Sequence, residues 1–120
     1  MTSTTIQKPA ANHVFFMLVK TTTDWLALSP TDRFAFLGEV IAPILKRNPG
    51  VSMRFFDSEA FSSRFTDVVM WETFDVLAYQ AVVEDLRETK FWGCYFDVAE
   101  IVGSIENGYA RHYDVEPIGT

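Results

Sequence analysis

The sequence predicts an α+β fold whose elements follow in the order β-α-β-β-α-β. Four segments are rich in β-branched, aromatic and other apolar residues, and two more show the apolar spacing of amphipathic helices. The predicted strands and helices cover residues 13–20, 30–47, 51–56, 65–74, 76–89 and 96–105. This order is typical of the ferredoxin-like βαββαβ fold, a four-stranded antiparallel sheet with two helices on one face.

The first strand and the first helix carry clear local signals. The strand HVFFMLVK is apolar on both faces, which predicts a central position covered on both sides. The helix has Ser29 as its N-cap and Pro30 in its first position, where a missing main-chain donor does no harm. Pro43 lacks the donor that an inner helical position needs and therefore predicts a kink. The run NPG at 48–50 ends the helix.

The rest of the chain predicts a hairpin, a second helix and a last strand. The strands VSMRFF and FTDVVMWETF are joined by the polar connection DSEAFSSR, and Asp75 caps the helix that follows. After the fourth strand, YARHYDV at 109–115 predicts either a short fifth strand or a C-terminal arm. We expect one domain over 13–115, between a flexible N-terminal tail at 1–12 and a C-terminal coil at 116–120.

Two helices cover only one face of such a sheet, yet these strands are apolar on both faces. A large uncovered apolar face is unusual in a monomer. We therefore expect a homodimer in which two sheets face each other, the dimeric α+β barrel arrangement. The chain has eleven Phe, four Tyr and three Trp, more than a core of this size needs. The excess predicts a hydrophobic pocket or a subunit contact lined by aromatic rings.

Composition also excludes several classes of partner. The net charge of −6 argues against nucleic acid, which requires a basic surface. No apolar run reaches membrane-spanning length, and residues 1–12 lack the apolar region of a signal peptide, so we expect a cytoplasmic protein without a membrane partner. Cys94 is the only cysteine, which rules out an internal disulfide framework.

Three stretches of sequence resemble those of a known family. They are FFMLVKTTTDWLALSPTDRFAFLGEVIAPIL, RFFDSEAFSSRFTDVVMWET and LAYQAVVEDLRETKFWGCYFDVAEIVGSIENGYA. In this order, over about residues 14–110, they resemble the darcynin family of small bacterial proteins. No catalytic residues carry over from that resemblance.

The predicted architecture is also similar to the wider dimeric α+β barrel group. That group includes polyketide cyclases, cofactor-free monooxygenases, muconolactone isomerase-like enzymes and haem-dependent chlorite dismutase relatives. A likeness of fold does not determine activity, so function has to be argued from the site.

Common catalytic and cofactor motifs are absent from the sequence. The two histidines, His13 and His112, lie at opposite ends of the chain without metal-ligand spacing. There is no G-x-S-x-G nucleophile motif and no glycine-rich phosphate loop. Cys94 has no charged neighbour in sequence that would activate its thiol, so it reads as a packed residue. We therefore expect no metal and no cofactor.

The candidate site depends on the alternation of side chains along the hairpin strands. Arg54 shares a face of the second strand with Ser52 and Phe56, and Asp67 shares a face of the third with Trp71. If Arg54 pairs near Asp67, a guanidinium and a carboxylate meet on the face that the helices leave uncovered. Trp71 then forms a wall of the same pocket. The alternative, a purely structural Arg54–Asp67 pair, stays open.

These residues predict a reaction class. Arg54 would stabilise an enolate or hold a carboxylate, while Asp67 or His13 would exchange a proton with a carbon acid. The predicted contacts of a hydrophobic substrate are Phe16, Phe56, Trp71 and Trp92. The leading prediction is a cofactor-free enzyme of secondary or aromatic metabolism, of the cyclase, isomerase or monooxygenase type. The alternatives are a non-catalytic small-molecule binding protein and a structural dimer, so catalysis itself stays open.

Overall fold

A four-stranded antiparallel sheet forms the centre of the protein in the computed structural model, which describes residues 9–119. The strands are β1 (His13–Thr21), β2 (Val51–Asp57), β3 (Asp67–Thr73) and β4 (Phe96–Ile105), in the spatial order β2-β3-β1-β4. β1 and β2 both run antiparallel to β3, which lies between them. The ferredoxin-like prediction, with the first strand at the centre, is confirmed.

Three of the six described helical segments begin at a residue whose side chain caps the helix. They are α1 (Thr23–Ala27), α2 (Pro30–Phe36), a π-helical turn (Leu37–Ile41), α3 (Ala42–Arg47), α4 (Val76–Arg87) and α5 (Gly108–Tyr113). The Ser29 hydroxyl accepts the Asp32 N–H at 3.1 Å, as its N-cap position predicts. The π-helical turn ends just before Pro43, and in it the Ala42 N–H donates to the Leu37 carbonyl. The wider turn lies where Pro43 cannot donate an ordinary helical bond.

The pairing register decides which side chains share a face of the sheet. Thr73 of β3 lies opposite His13 of β1 and Val51 of β2. The helix-covered face therefore carries Val51, Met53, Phe55, Asp57, Asp67, Val69, Trp71, Thr73, Phe15, Met17 and Val19. The open face carries Val14, Phe16, Leu18, Ser52, Arg54, Phe56, Val68, Met70, Glu72, Glu100 and Val102.

The core lies between the helix-covered face and the helices. Met17 and Trp71 of the sheet pack in one cluster with Ile44 of α3 and Leu86 of α4. Each such aliphatic side chain contributes about 1.5–3 kcal/mol when it is fully buried. Trp25 of α1 anchors an aromatic group at one end, with its ring centroid 5.0 Å from that of Phe96. Residues of α1, α3, β2 and β3 also line a common space beside this core.

Three sequence-based expectations about the helical regions are wrong. The possible fifth strand at 109–115 is a helix instead, because Asn107 takes a left-handed conformation that turns the chain out of β4. The Arg111 N–H then donates to the Asn107 carbonyl at 3.1 Å. The apolar spacing of the first predicted helix also places Phe34 on its inward side, but Phe34 is 70% exposed. The segment TTTDWLALS at 21–29 predicts a loop, but Trp25 lies in α1 because Thr22 caps that short helix.

The ends of the chain are only partly within the described residues. Most of the predicted tail at 1–12 lies outside them. Asn12 is described. Its side-chain amide donates to a Glu72 carboxylate oxygen at 3.0 Å, and its main-chain carbonyl accepts the Glu106 N–H at 2.9 Å. Over 9–119, no helix has the length and apolar content needed to cross a membrane.

Candidate functional site

A pocket of about 780 Å³ lies between the helical region that runs from α1 to α3 and the helix-covered face of the sheet. We call it the main pocket. Its apolar lining consists of Trp25, Leu26, Leu37, Ile41, Ala42, Leu45, Met53, Phe55, Val69, Trp71, Leu86, Phe91 and Phe96. Its polar lining consists of Thr21, Arg33, Asp57, Glu59, Thr66 and Asp67. Leu26, Leu37 and Phe55 are also exposed to solvent, so part of the lining reaches the protein surface.

Three carboxylates lie together in the wall of this pocket. Asp57 ends β2 and Asp67 begins β3, and the hairpin register sets them directly opposite each other. Glu59 follows in the connecting loop, and one oxygen from each of the three lies within 4.8 Å of the others. We call these residues the acidic cluster. Oxygen atoms at this spacing can bind a cation, whether a metal ion or an ammonium group.

Asp67 is the buried member of the acidic cluster, with 5% of its surface exposed. Burial raises the pKa of Asp67 to about 6, and the negative charges of Glu59 and Asp57 add to the rise. The Thr66 hydroxyl donates to Asp67 Oδ2 at 2.8 Å and partly opposes that rise in pKa. A carboxyl group with this pKa can both accept and donate a proton near neutral pH.

Two donors in the pocket wall have very different surroundings. The Arg33 guanidinium donates through Nε to the Trp25 carbonyl at 3.1 Å and through Nη2 to the Leu26 carbonyl at 2.9 Å. These bonds fix the α1–α2 connection and commit two of its donors to the main chain. The indole N–H of Trp71 is buried and has no hydrogen-bond partner among the described residues. An orphaned donor of this kind is uncommon in a protein interior.

Comparison with known proteins identifies the family. The family model described as "Darcynin, domain of unknown function" matches residues 1–120. The chain belongs to the darcynin family. A darcynin homolog of Streptomyces avermitilis is 50% identical over 106 residues, which cover 88% of each chain. Darcynin 1 of Acinetobacter baumannii is 33% identical over 88 residues, 72% of this chain and 98% of that one. The resemblance found in the sequence is confirmed.

Solved structures share the fold of this darcynin-family chain at low sequence identity. A haem-binding protein of Thermus thermophilus matches with a TM-score of 0.71 and 16% identity, over 92% of this chain and 46% of that one. A mutant chlorite dismutase of Candidatus Nitrospira defluvii matches with a TM-score of 0.66 and 12% identity, over 84% of this chain and 43% of that one. The chain thus spans less than half the length of these neighbours, and the likeness establishes the fold alone.

The sheet register divides the residues that the sequence predicts for the site. Asp67 and Trp71 both line the main pocket, which lies on the helix-covered face. Arg54 pairs with Met70 and therefore points to the open face, where its guanidinium lies 5.1 Å from the ring centroid of Phe56. The predicted meeting of Arg54 with Asp67 is wrong, because a cross-strand partner of Met70 cannot share a face with Asp67.

The other predicted site residues in this darcynin-family chain lie outside the main pocket. Phe16 and Phe56 are exposed on the open face. Trp92 is half-buried beside β4, with the Arg87 guanidinium 6.0 Å from its ring centroid. His13 is half-buried at the start of β1, and its buried Nδ1 has no hydrogen-bond partner among the described residues. None of these four lines the main pocket.

Sequence reasoning missed the acidic cluster. Asp57 and Glu59 belong to the segment DSEAFSSR, whose composition is that of an ordinary polar connection. A usable signal was present: a hairpin that closes between Asp57 and Asp67 sets two carboxylates opposite each other. Opposed like charges destabilise a sheet, so their presence indicates a functional reason for the arrangement.

Proposed function

We propose that the protein binds an apolar small molecule in the main pocket. The observation that carries this proposal is the pocket volume of about 780 Å³ together with a mainly apolar and aromatic lining. Ligand pockets usually measure about 300–1,000 Å³ and combine an apolar wall with a few polar groups. The exposed rim residues Leu26, Leu37 and Phe55 provide an apolar entrance.

Binding of a neutral dye tests this proposal. Nile red fluoresces more strongly in apolar surroundings, and native mass spectrometry detects small molecules retained from expression. In the Val69→Phe variant the larger ring would occupy the pocket floor, and we expect dye affinity to fall by about tenfold or more. Val68→Phe is the matched control, because Val68 is the neighbouring residue on the open face. Equal affinities in the two folded variants would contradict the proposal.

Proton transfer by Asp67 is a second candidate function. The raised pKa of Asp67, about 6 because of burial and its acidic neighbours, favours it. Enolate stabilisation by Arg54 is not part of this candidate, since Arg54 lies on the open face. Two donors of Arg33, the arginine that lines the pocket, are already bonded to main-chain carbonyls. The candidate is therefore a general acid–base role for one carboxyl group.

Exchange of C–H protons tests the catalytic role. β-Tetralone is an apolar ketone whose α protons exchange slowly with D₂O, and proton NMR follows that exchange. We expect the native protein to accelerate the exchange and Asp67→Asn to remove the acceleration, because an amide has no basic oxygen of comparable strength. If the protein binds β-tetralone but the protons exchange no faster than in buffer, Asp67 does not catalyse this proton transfer and only the binding function remains.

Haem is the ligand that the name of one structural neighbour suggests. Haem iron is held by His, Cys, Met or Tyr side chains. Among the described residues that line the main pocket, Met53 is the only one of these types. These lining residues therefore offer haem iron a single thioether and no histidine, cysteine or tyrosine. The acidic cluster would also repel the haem propionates. The main pocket therefore does not fit haem, and the proposal assigns none to it.

We also propose that two copies of the chain associate through the open face of the sheet. Phe16, Phe56 and Val102 are exposed there. The same face carries the positive charge of Arg54 and the negative charge of Glu72. A face with both signs can complement itself about a two-fold axis. Association would bury the apolar rings without involving the main pocket, which lies on the other face.

A further inference from the structure

The charged groups of the main pocket are predominantly negative. Asp57, Glu59 and Asp67 contribute three carboxylates to the lining, against the single guanidinium of Arg33. Two donors of that guanidinium are bonded to the carbonyls of Trp25 and Leu26. A ligand that enters the pocket therefore meets an excess of negative charge beside an apolar surface.

Over residues 9–119, the acidic cluster has no cationic partner. The ion pairs Arg47–Asp85 and Arg64–Glu100 lie elsewhere. Among the residues described, no lysine or arginine lies within salt-bridge distance of the three carboxylates, and Asp67 accepts a hydrogen bond from the Thr66 hydroxyl. Carboxylates gathered in this way repel one another, and a bound cation would relieve that repulsion.

We infer that the ligand of the main pocket is an apolar molecule with a protonated amine at one end, and that the acidic cluster binds the amine. The inference rests on the proposed binding function and specifies the class of ligand. The apolar body would lie along Val69 towards Trp71, away from Asp67. Asp67 and Trp71 are four residues apart on one strand, so their Cα atoms are about 13 Å apart. That length accommodates a body of two fused rings with a short aminoalkyl chain.

Other ligand charges fit this arrangement less well. An anionic ligand would bring its charge against three carboxylates, and burying an unpaired charge is unfavourable. A metal ion would use the acidic cluster alone and would leave the adjoining apolar surface uncovered. An ammonium group attached to an apolar body uses both parts of the pocket, because charge-assisted hydrogen bonds hold one end and burial of apolar surface stabilises the other.

Three probes that share one aromatic body test the inference. They are naphthylethylamine, naphthylethanol and naphthylacetate, which are cationic, neutral and anionic near pH 8. Isothermal titration calorimetry on the full chain at low salt should show the amine binding about tenfold or more tightly than the alcohol, because hydrogen bonds to charged groups are the stronger class. The acetate should bind most weakly.

A variant pair identifies the carboxylates as the source of this preference. The double substitution Asp57→Asn with Glu59→Gln removes two exposed charges and keeps the shape of both side chains. We expect it to lower amine affinity about tenfold while leaving the affinity for the alcohol unchanged. Glu84→Gln, on the exposed side of α4, is the matched control and should change neither affinity.

Each outcome bears on one proposal. If the alcohol binds as tightly as the amine, the main pocket still binds ligands but the inferred preference for a cation is wrong. If calcium ions bind the acidic cluster and displace the amine, the cluster is a metal site and the inference is overturned. If neither these probes nor Nile red bind, the proposed binding function itself fails.

Discussion

Replacing the buried Asp67 by asparagine should stabilise the folded protein at neutral and alkaline pH. The pKa of Asp67 rises from 3.8 to about 6 in the folded state, chiefly because the carboxyl group is buried. The folded protein therefore binds this proton more tightly than the unfolded chain does. The free energy of unfolding falls as the pH rises between these two pKa values, and the loss is complete above the higher one.

The size of the effect follows from the pKa shift. A pKa shift of about two units, at about 1.4 kcal/mol per unit, lowers the free energy of unfolding of the native protein by about 3 kcal/mol at about pH 8. At about pH 4 the carboxyl group is mostly protonated in the folded state, and this loss of stability falls well below about 1 kcal/mol. Asparagine has no charge to bury. Its side-chain oxygen can still accept the hydrogen bond that the Thr66 hydroxyl donates to Asp67 Oδ2 at 2.8 Å.

Urea unfolding followed by tryptophan fluorescence measures this difference. We expect the free energy of unfolding of Asp67→Asn to exceed that of the native protein by about 3 kcal/mol at about pH 8. At about pH 4 we expect the difference to be only a few tenths of a kcal/mol. Asp97→Asn, at an exposed position of β4, is the control and should shift stability by less than about 0.5 kcal/mol. A variant no more stable than the native protein at the higher pH, or a gain that does not depend on pH, would refute the reasoning.

Three further substitutions test other parts of the structure. Thr73→Val should lower the free energy of unfolding by about 1–3 kcal/mol in urea titrations, because the buried hydroxyl donates to the Gly50 carbonyl at 3.0 Å; a loss below a few tenths would show that the bond is dispensable. Phe16→Asp should shift the sedimentation coefficient from dimer to monomer, since it would bury a charge between two open faces; unchanged sedimentation would exclude this face as the contact. Arg54→Ala should leave Nile red affinity unchanged, because Arg54 points away from the main pocket; a large drop would locate the ligand on the open face.

The pattern of apolar residues was sufficient to predict the four strands and the two long helical regions in their order, but not the short helices α1 and α5. The continuous apolar run of HVFFMLVK predicted a central strand, and β1 lies between β3 and β4. Ser29 predicted the start of the first helix, and its hydroxyl caps α2. These features depend on residues close in sequence, so local spacing carries the information.

The composition of the site was harder to predict because it depends on pairing between strands. A shift of one residue in the β2–β3 register exchanges the two faces of a strand. The sequence of the loop between these strands does not indicate which register forms. Arg54 does lie with Phe56 on the open face, as the alternation predicted, but the register sets Asp67 and Trp71 on the other face. Asp57 and Glu59 were overlooked because an acidic loop is usually solvated, and only the fold brings their oxygens within 4.8 Å of an oxygen of Asp67.

Residue spacing and composition predicted the α+β architecture, the family resemblance and the apolar residues on both faces of the sheet. The position of the main pocket under the helices became visible only in the folded chain, as did the separation of Arg54 from Asp67 and Trp71. Secondary structure follows from the periodicity of neighbouring residues, whereas a pocket and its charge depend on strand register and on how far a helix stands from the sheet.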